Sequence, residues 1–429
     1  MARNVLNRMR IICPAANFMR LAAVITLALM SLECNSRPLE MKTAGSSQKA
    51  LILDDCHDRW YAPCDAPALP EFPSGLPQIR AATGAMKQFF VGGMFKTNQK
   101  SVILTSPPEF HNIAWWHYPT RTLKPIGGVV LTSGLEATVL AMTEFKGALI
   151  AAGEFDKAGC IDAKNIATLS GTDGTPWVSL GSDGPQAKIH CLLVRKNSSG
   201  TDEELIVGGE FQTAGGMNTG PIATWNGAAW SSLDPTATEP GLTGDLRALA
   251  WTATGDLVAG GPDLSAGGIS GKVAIRIGTT WTVLGSLPGA VLALTVWNGK
   301  VIAGGNFNDD GQLRRVAQWD LNLANPAWQS MEPVGQMNKG FDSAVLALTV
   351  FNGELIAGGS FSTPSCIARW NTTNSKWEDL EHGVQGNVHV LFPCGYNLMV
   401  GGEFTGVNHA VGGQDEDIRG WAWWGRFPC

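Results

Sequence analysis

The chain has 429 residues, of which 44% are hydrophobic and only 16% charged, with a formal net charge of −6. That balance excludes an intrinsically disordered chain, and the absence of a basic stripe excludes a nucleic-acid partner as the expectation. Fifty-two glycines and 16 tryptophans against 3 tyrosines suit a β architecture with many tight turns.

The first 34 residues differ from the rest. Arg3, Arg8, Arg10 and Arg20 precede the 12-residue apolar run LAAVITLALMSL (21–32). A bilayer span needs about 20 apolar residues, so this run has the length of a signal-peptide core instead. Met19 is a second candidate initiator. Residues 1–34 therefore read as a signal peptide or N-terminal anchor, and 35–68 as a tether. SLEC (31–34) resembles a lipobox in part, but Glu33 stands where a small residue is expected. Secretion is favoured over acylation of Cys34; a retained N-terminus would tether the protein to a membrane. Beyond residue 34 the chain has 27 basic against 36 acidic residues. None of its nine cysteines forms the CxxC pair of a zinc site, and an exported protein can oxidise them.

From there one phrase recurs: FFVGGMF (89–95), LIAAGEF (149–155), LIVGGEF (205–211), LVAGGPD (257–263), VIAGGNF (301–307), LIAGGSF (355–361) and LMVGGEF (398–404). Its second glycines lie 43 to 60 residues apart, the period of a propeller blade. Upstream stands a V-x-A-L strand, as in VLALTVWNG (291–299) and VLALTVFNG (345–353). Downstream come I-A-x-W, as in PIATW (221–225) and CIARW (366–370), and then W-x-x-L, as in WSSL (230–233) and WEDL (377–380). Four short strands per unit predict one antiparallel sheet. LIAGG is apolar on consecutive residues, which predicts a strand covered on both faces. The paired glycines fit where inner strands crowd together, and the tryptophans fill the wider outer wedge.

The last unit ends in GWAWWGRFPC (420–429), without a W-x-x-L strand. LPEF (69–72) is expected to supply it, joining the two ends of the repeat array. Cys429 would then lie near the N-terminal strand, where a bridge to Cys56 or Cys64 is geometrically open. The expected fold is all-β: a seven-bladed β-propeller of four-stranded antiparallel blades over 69–429, closed by an N-terminal strand.

IARWNTTNSKWEDL (367–380) resembles the kelch signature, with Trp370 where kelch repeats usually carry Tyr. LIAGGSF and IARWN also resemble the repeats of Rax2-like cell-cortex proteins and of bacterial exported repeat proteins. The resemblance covers about residues 69 to 429 and implies a propeller; it implies no single activity. Galactose oxidase shares a kelch-like propeller, and likeness to it would imply a copper site with two Tyr and two His. Tyr118 follows His117, but Tyr61 and Tyr396 have no matching His, so no cofactor is expected.

NFNDDG (306–311) resembles the start of a calcium loop, but Ala317 stands where a bidentate Glu would close it; no metal is expected. The candidate binding residues fall in two groups. Glu154, Glu210 and Glu403 share the position after the glycine pair, with Asn306 and Ser360 in other units; in a ring they would meet near one mouth of the channel. The segments 96–112 and 405–420 are the longest of their kind, and contribute His111, His409, Asp415 and Asp417 to an expected loop face. The expected function is an exported, non-enzymatic binding or scaffold module for a protein or glycan. The alternative is a carbohydrate-active enzyme, which would need two channel-mouth carboxylates roughly 5–9 Å apart. A calcium-stabilised structural repeat is a third reading.

Overall fold

The computed structural model describes residues 59–61, 78–85, 88–98, 109–117, 122–126, 129–130, 137–159, 161–171, 177–233, 241–308, 313–331, 340–408, 414–415 and 420–425. Met1–Leu53 and Asp54–Cys429 are separate units, and every described residue belongs to the second. The expected export signal, the calcium-like residues Asp309 and Asp310, and the strand expected at 69–72 lie outside the described residues.

The described fold is all-β, built of several four-stranded antiparallel sheets. The first runs Gln78–Ala85, Gln88–Asn98, Glu109–His117 and Thr122–Pro125, each strand pairing with the next. Five further sheets repeat this order, and begin near Thr138, Ile189, Ala248, Ala290 and Val345. A seventh is built on Val384–Cys394, Asn397–Asn408 and Trp421–Gly425. The hairpins at Asn298-Gly299 and Asn352-Gly353 carry positive φ at both residues, as the tight Asn-Gly turn requires.

Each of the two phrase glycines has its own steric reason. Opposite the second one, the first strand of the sheet is bulged: the register slips between Ile79 and Ala81, Val139 and Ala141, Val291 and Ala293, Val345 and Ala347, and Val388 and Val390. The bulge drives a backbone carbonyl into the space a side chain would need. A Cβ on Gly93, Gly153, Gly305 or Gly402 would lie 1.8–2.0 Å from the carbonyl oxygen of Gln78, Thr138, Ala290 or Asn387. The first glycine faces the following sheet instead. A Cβ on Gly92, Gly304 or Gly358 would fall 2.7, 2.7 or 2.4 Å from Val139, Val345 or Val388 of the next sheet. Gly401 of the seventh sheet repeats this contact with Ile79 of the first, at 2.7 Å.

The core is correspondingly divided into layers between consecutive sheets. Trp115, Met142 and Phe155 fill the layer between the first and second; Phe211, Trp225 and Trp230 lie in the next. The layer of Ile79, Phe89, Val91, Met399 and Trp421 joins the seventh sheet to the first, with Phe89 stacked on Trp421 at 6.1 Å and 11°. The phrase phenylalanines 95, 155, 211, 307, 361 and 404 are at most 3% exposed, and each such burial contributes on the order of 1.5–3 kcal/mol.

Tryptophans tie neighbouring sheets by a repeated hydrogen bond. The W-x-x-L indole N–H donates to the carbonyl that ends the preceding unit's W-x-x-L strand: Trp230 to Leu180 (2.6 Å), Trp328 to Leu284 (2.6 Å) and Trp377 to Met331 (3.1 Å). Trp177 donates to Ile126 in the same way, at 3.0 Å. Trp328→Phe keeps an aromatic ring, though a smaller one, and leaves the Leu284 carbonyl without that donor. A loss of about 1–2 kcal/mol is expected, read as a lower denaturant midpoint at unchanged slope.

The N-terminal strand differs in place from expectation. The strand beside Trp421–Gly425 is Arg59–Tyr61, with Arg59 opposite Gly425, Trp60 opposite Trp424 and Tyr61 opposite Trp423. The same register pairs Trp225 with Trp230 and Trp370 with Trp377. Trp60 is therefore the W-x-x-L tryptophan that the seventh unit lacks in sequence order. The aromatic pair Trp60-Tyr61 favours a strand, whereas Pro70 in LPEF has no N–H to give to a ladder.

Candidate functional site

The bulge that excludes the second glycine's Cβ also sets the site. In six of the V-x-A-L strands the x residue sits at the bulge, out of the paired register; in the fourth unit it directly precedes the strand, which begins at Ala248. It is Leu140, Leu292 and Leu346 in three units, but Arg80, His190, Arg247 and His389 in the other four. The residue after the glycine pair lies across from the start of the same strand: Thr138 opposite Glu154, Ala290 opposite Asn306, Asn387 opposite Glu403. Polar side chains from two strands per sheet therefore converge.

One connected network spans the second, third and fourth sheets. Glu210 Oε1 accepts from His190 Nε2 at 2.8 Å and from Arg247 Nη2 at 2.9 Å. Arg247 Nη1 lies 3.3 Å from His190 Nδ1, so Nδ1 is the acceptor and Nε2 carries the proton. Arg247 also reaches Asp245 at 3.6 Å, and Lys188 pairs with Glu154 of the preceding sheet at 2.7 Å. Burial presses the His190 pKa down to about 4, against the opposing hydrogen bond to Glu210. Burial alone would raise Glu210, but the hydrogen bond from His190 and the nearby positive charges outweigh it and hold its pKa below the usual value. Asp245 moves the other way, raised by burial and then by the charges of Asp263 and Glu210.

A second set joins the seventh sheet to the first. Arg80 Nη1 lies 3.2 Å from His389 Nδ1, and Arg80 Nη2 and Nε donate to Gln78 Oε1 at 2.6 and 3.3 Å. Burial, then the charge of Arg80, lowers the His389 pKa to about 3. Burial lowers Arg80 as well, opposed by the charge of Glu403.

Of the residues expected from sequence, the structure joins Glu154 and Glu210 into the first network and sets Glu403 beside the second. Asn306 accepts a short hydrogen bond from Arg315, and Ser360 pairs with Ser343 at 3.0 Å; neither joins the two sets. His111 lies in the first sheet opposite Lys96, and Asp415 lies on a short strand opposite Val407. His409 and Asp417 lie outside the described residues. The residues sequence reasoning missed are Arg80, Lys188, His190, Arg247 and His389. Their signal was present: four of them replace the leucine of V-x-A-L. Positive groups of the adjoining sheets act on all three glutamates: Lys188 on Glu154, Arg247 on Glu210 and the charge of Arg80 at Glu403. Of the tyrosines, Tyr396 is 62% exposed, and among the described residues no three His, Cys, Asp or Glu side chains converge as a metal site.

No protein-family model matches the chain, and no curated protein matches it. Among solved structures it is similar to the computationally designed Ika8 protein, at 16% identity and a TM-score of 0.42, over 84% of this chain and 100% of that one. It is also similar to the extracellular domain of BT4673 from B. thetaiotaomicron, at 9% identity and a TM-score of 0.48, over 82% of this chain. The match spans 39% of that second chain's length. Likenesses this distant add nothing to what the chain's own geometry supports.

Proposed function

We propose that the protein is an exported seven-bladed β-propeller of kelch-like type that acts as a binding module, taking a glycan at the mouth of its central channel. The repeated contact of each first glycine with the next sheet, ending with Gly401 on Ile79, supports a closed ring. Export is supported by the apolar run 21–32 and by a disulfide at Cys394, a bond that oxidising compartments preserve. In a ring of seven, the bulged x residues and the residues after the glycine pairs would line the channel at one end. Carboxylates, guanidinium groups, imidazoles and amides gathered there suit a ligand rich in hydroxyl and acidic groups.

The observation that carries binding over hydrolysis is the neutralisation of Glu210. A glycosidase acid must hold its proton near neutral pH, through a raised pKa. Glu210 is held below its usual value by two cationic or donor partners, and Glu154 is paired with Lys188. The test is an array of neutral and acidic glycans probed with the full chain and with Arg247→Ala. Saturable capture that falls at least tenfold in the variant supports the reading. Release of shortened sugars from captured glycan would replace it with the hydrolase; no capture by the unaltered chain, or capture unchanged in Arg247→Ala, would remove the channel mouth as the site.

A further inference from the structure

The repeat supplies the same three residues twice. His190 and His389 hold the x position of V-x-A-L, Glu210 and Glu403 follow the glycine pairs of the same units, and Arg247 and Arg80 hold the x position of the adjoining sheet. In both sets the arginine Nη1 donates to the histidine Nδ1, at 3.3 and 3.2 Å. Both histidines are thereby fixed with the proton on Nε2.

The sets differ in what that proton meets. In the first, Glu210 Oε1 bridges His190 Nε2 and Arg247 Nη2, so one carboxylate oxygen satisfies two donors. In the second, His389 Nε2 is buried and meets no acceptor among the described residues. Glu403 acts on Arg80 through its charge, yet no ion pair joins the two among the described residues. The Arg80 donors turn to the side-chain amide of Gln78 instead, whose counterpart in the first set is Asp245. A buried donor left without an acceptor is destabilising, and the first set displays the group that relieves it.

We infer that His389 and Arg80 form a subsite for a ligand carboxylate, which accepts from His389 Nε2 and from Arg80 as Glu210 Oε1 accepts from His190 and Arg247. The inference rests on the glycan-binding reading, and gives it a chemical class: acidic sugars carrying a uronate. Gln78 would release a guanidinium donor to the ligand, and Glu403 would be the internal rival whose charge weakens binding.

The experiment titrates sodium acetate, glucuronate and glucose into the full chain while the histidine ring nitrogens are followed by two-bond proton–nitrogen correlation. Acetate and glucuronate are expected to shift His389 Nε2 saturably, with His190 unmoved and glucose without effect. Arg80→Met is expected to weaken glucuronate roughly tenfold or more, the share of a charge-assisted hydrogen bond, and Glu403→Gln to strengthen it. A peptide with a free C-terminal carboxylate, compared with its amide, distinguishes a peptide source from a sugar; a preference for the peptide overturns the uronate class. The subsite is overturned if neither anion shifts His389, or if the anions bind only once Glu403 is changed, which makes Glu403 the native occupant. Should Arg80→Met fail to fold, Glu403→Gln alone decides: unchanged or weakened glucuronate binding overturns the subsite. Glycan capture that ignores acidity would leave the binding module standing and remove this subsite alone.

Discussion

Gly305→Ala is expected to destabilise the protein by about 3 kcal/mol, near the upper end for forcing a methyl group into packed structure. The added Cβ would stand 2.0 Å from the Ala290 carbonyl oxygen and 3.0 Å from Val291 Cα. Both obstacles are backbone, held by the bulge between Val291 and Ala293, so no side-chain rotation makes room. Relief requires the bulge to move, which shifts Leu292 and loosens the contact between the fifth and sixth sheets at Gly304 and Val345. Gly84→Ala is the control, because its nearest neighbour would be Phe392 Cζ at 3.8 Å, an ordinary contact. Urea titrations of both variants give the comparison. Equal stabilities would show that the bulge yields freely, and would remove the steric account of the second glycine.

The second large effect is acid sensitivity. His190 and His389 are neutral in the folded protein, with pKa values near 4 and near 3, against an unfolded value of about 6.5. Between these limits the unfolded chain binds more protons than the folded one. Stability therefore rises with pH in this window and is lost as pH falls below about 6.5. At pH 5 each histidine accounts for up to about 2 kcal/mol of that loss, at 1.36 kcal/mol per pH unit. Glu210 adds a smaller loss of the same sign at lower pH, since its folded pKa is depressed. Urea midpoints at pH 7.5 and 5.0 measure the effect, and His190→Gln with His389→Gln should flatten it. A stability that holds or grows on acidification would mean that one or both histidines are charged in the folded state.

The repeat made the scaffold legible. Copies of one phrase carry glycines for two local reasons, a backbone carbonyl crowding the second position and a tight approach between sheets at the first, and these reasons recur in most copies, the second copy having Ala152 at the first position. The position of the N-terminal strand was harder to read. Trp60 is isolated from any V-x-A-L or Gly-Gly phrase, so only its register against Trp424 identifies its place. The site was half legible. Glu154, Glu210 and Glu403 stand out because they hold the same position at the end of an apolar phrase, after Gly-Gly or, at Glu154, Ala-Gly. Their meaning depends on neighbours from the next sheet, Lys188 and Arg247 above all, and sequence order does not announce which sheet is next to which. His190 and His389 were hidden inside strands whose surroundings are apolar; aligning them with Leu140, Leu292 and Leu346 would have exposed them. The fate of the long segments 96–112 and 405–420 rests mostly on residues outside those described.

The pairing of Arg59–Tyr61 with Trp421–Gly425 has a consequence for biosynthesis. The ribosome makes the first of these strands long before the second, so six sheets can assemble as they emerge while one strand waits without its partner. That waiting strand is aromatic and has open hydrogen-bonding edges, a hazard for mispairing with other chains. The last contact to form is also the one most distant in sequence, and such contacts are slow to find. A chain that crosses a membrane unfolded and assembles only afterwards has both strands present when folding begins, and export in that form would remove the wait.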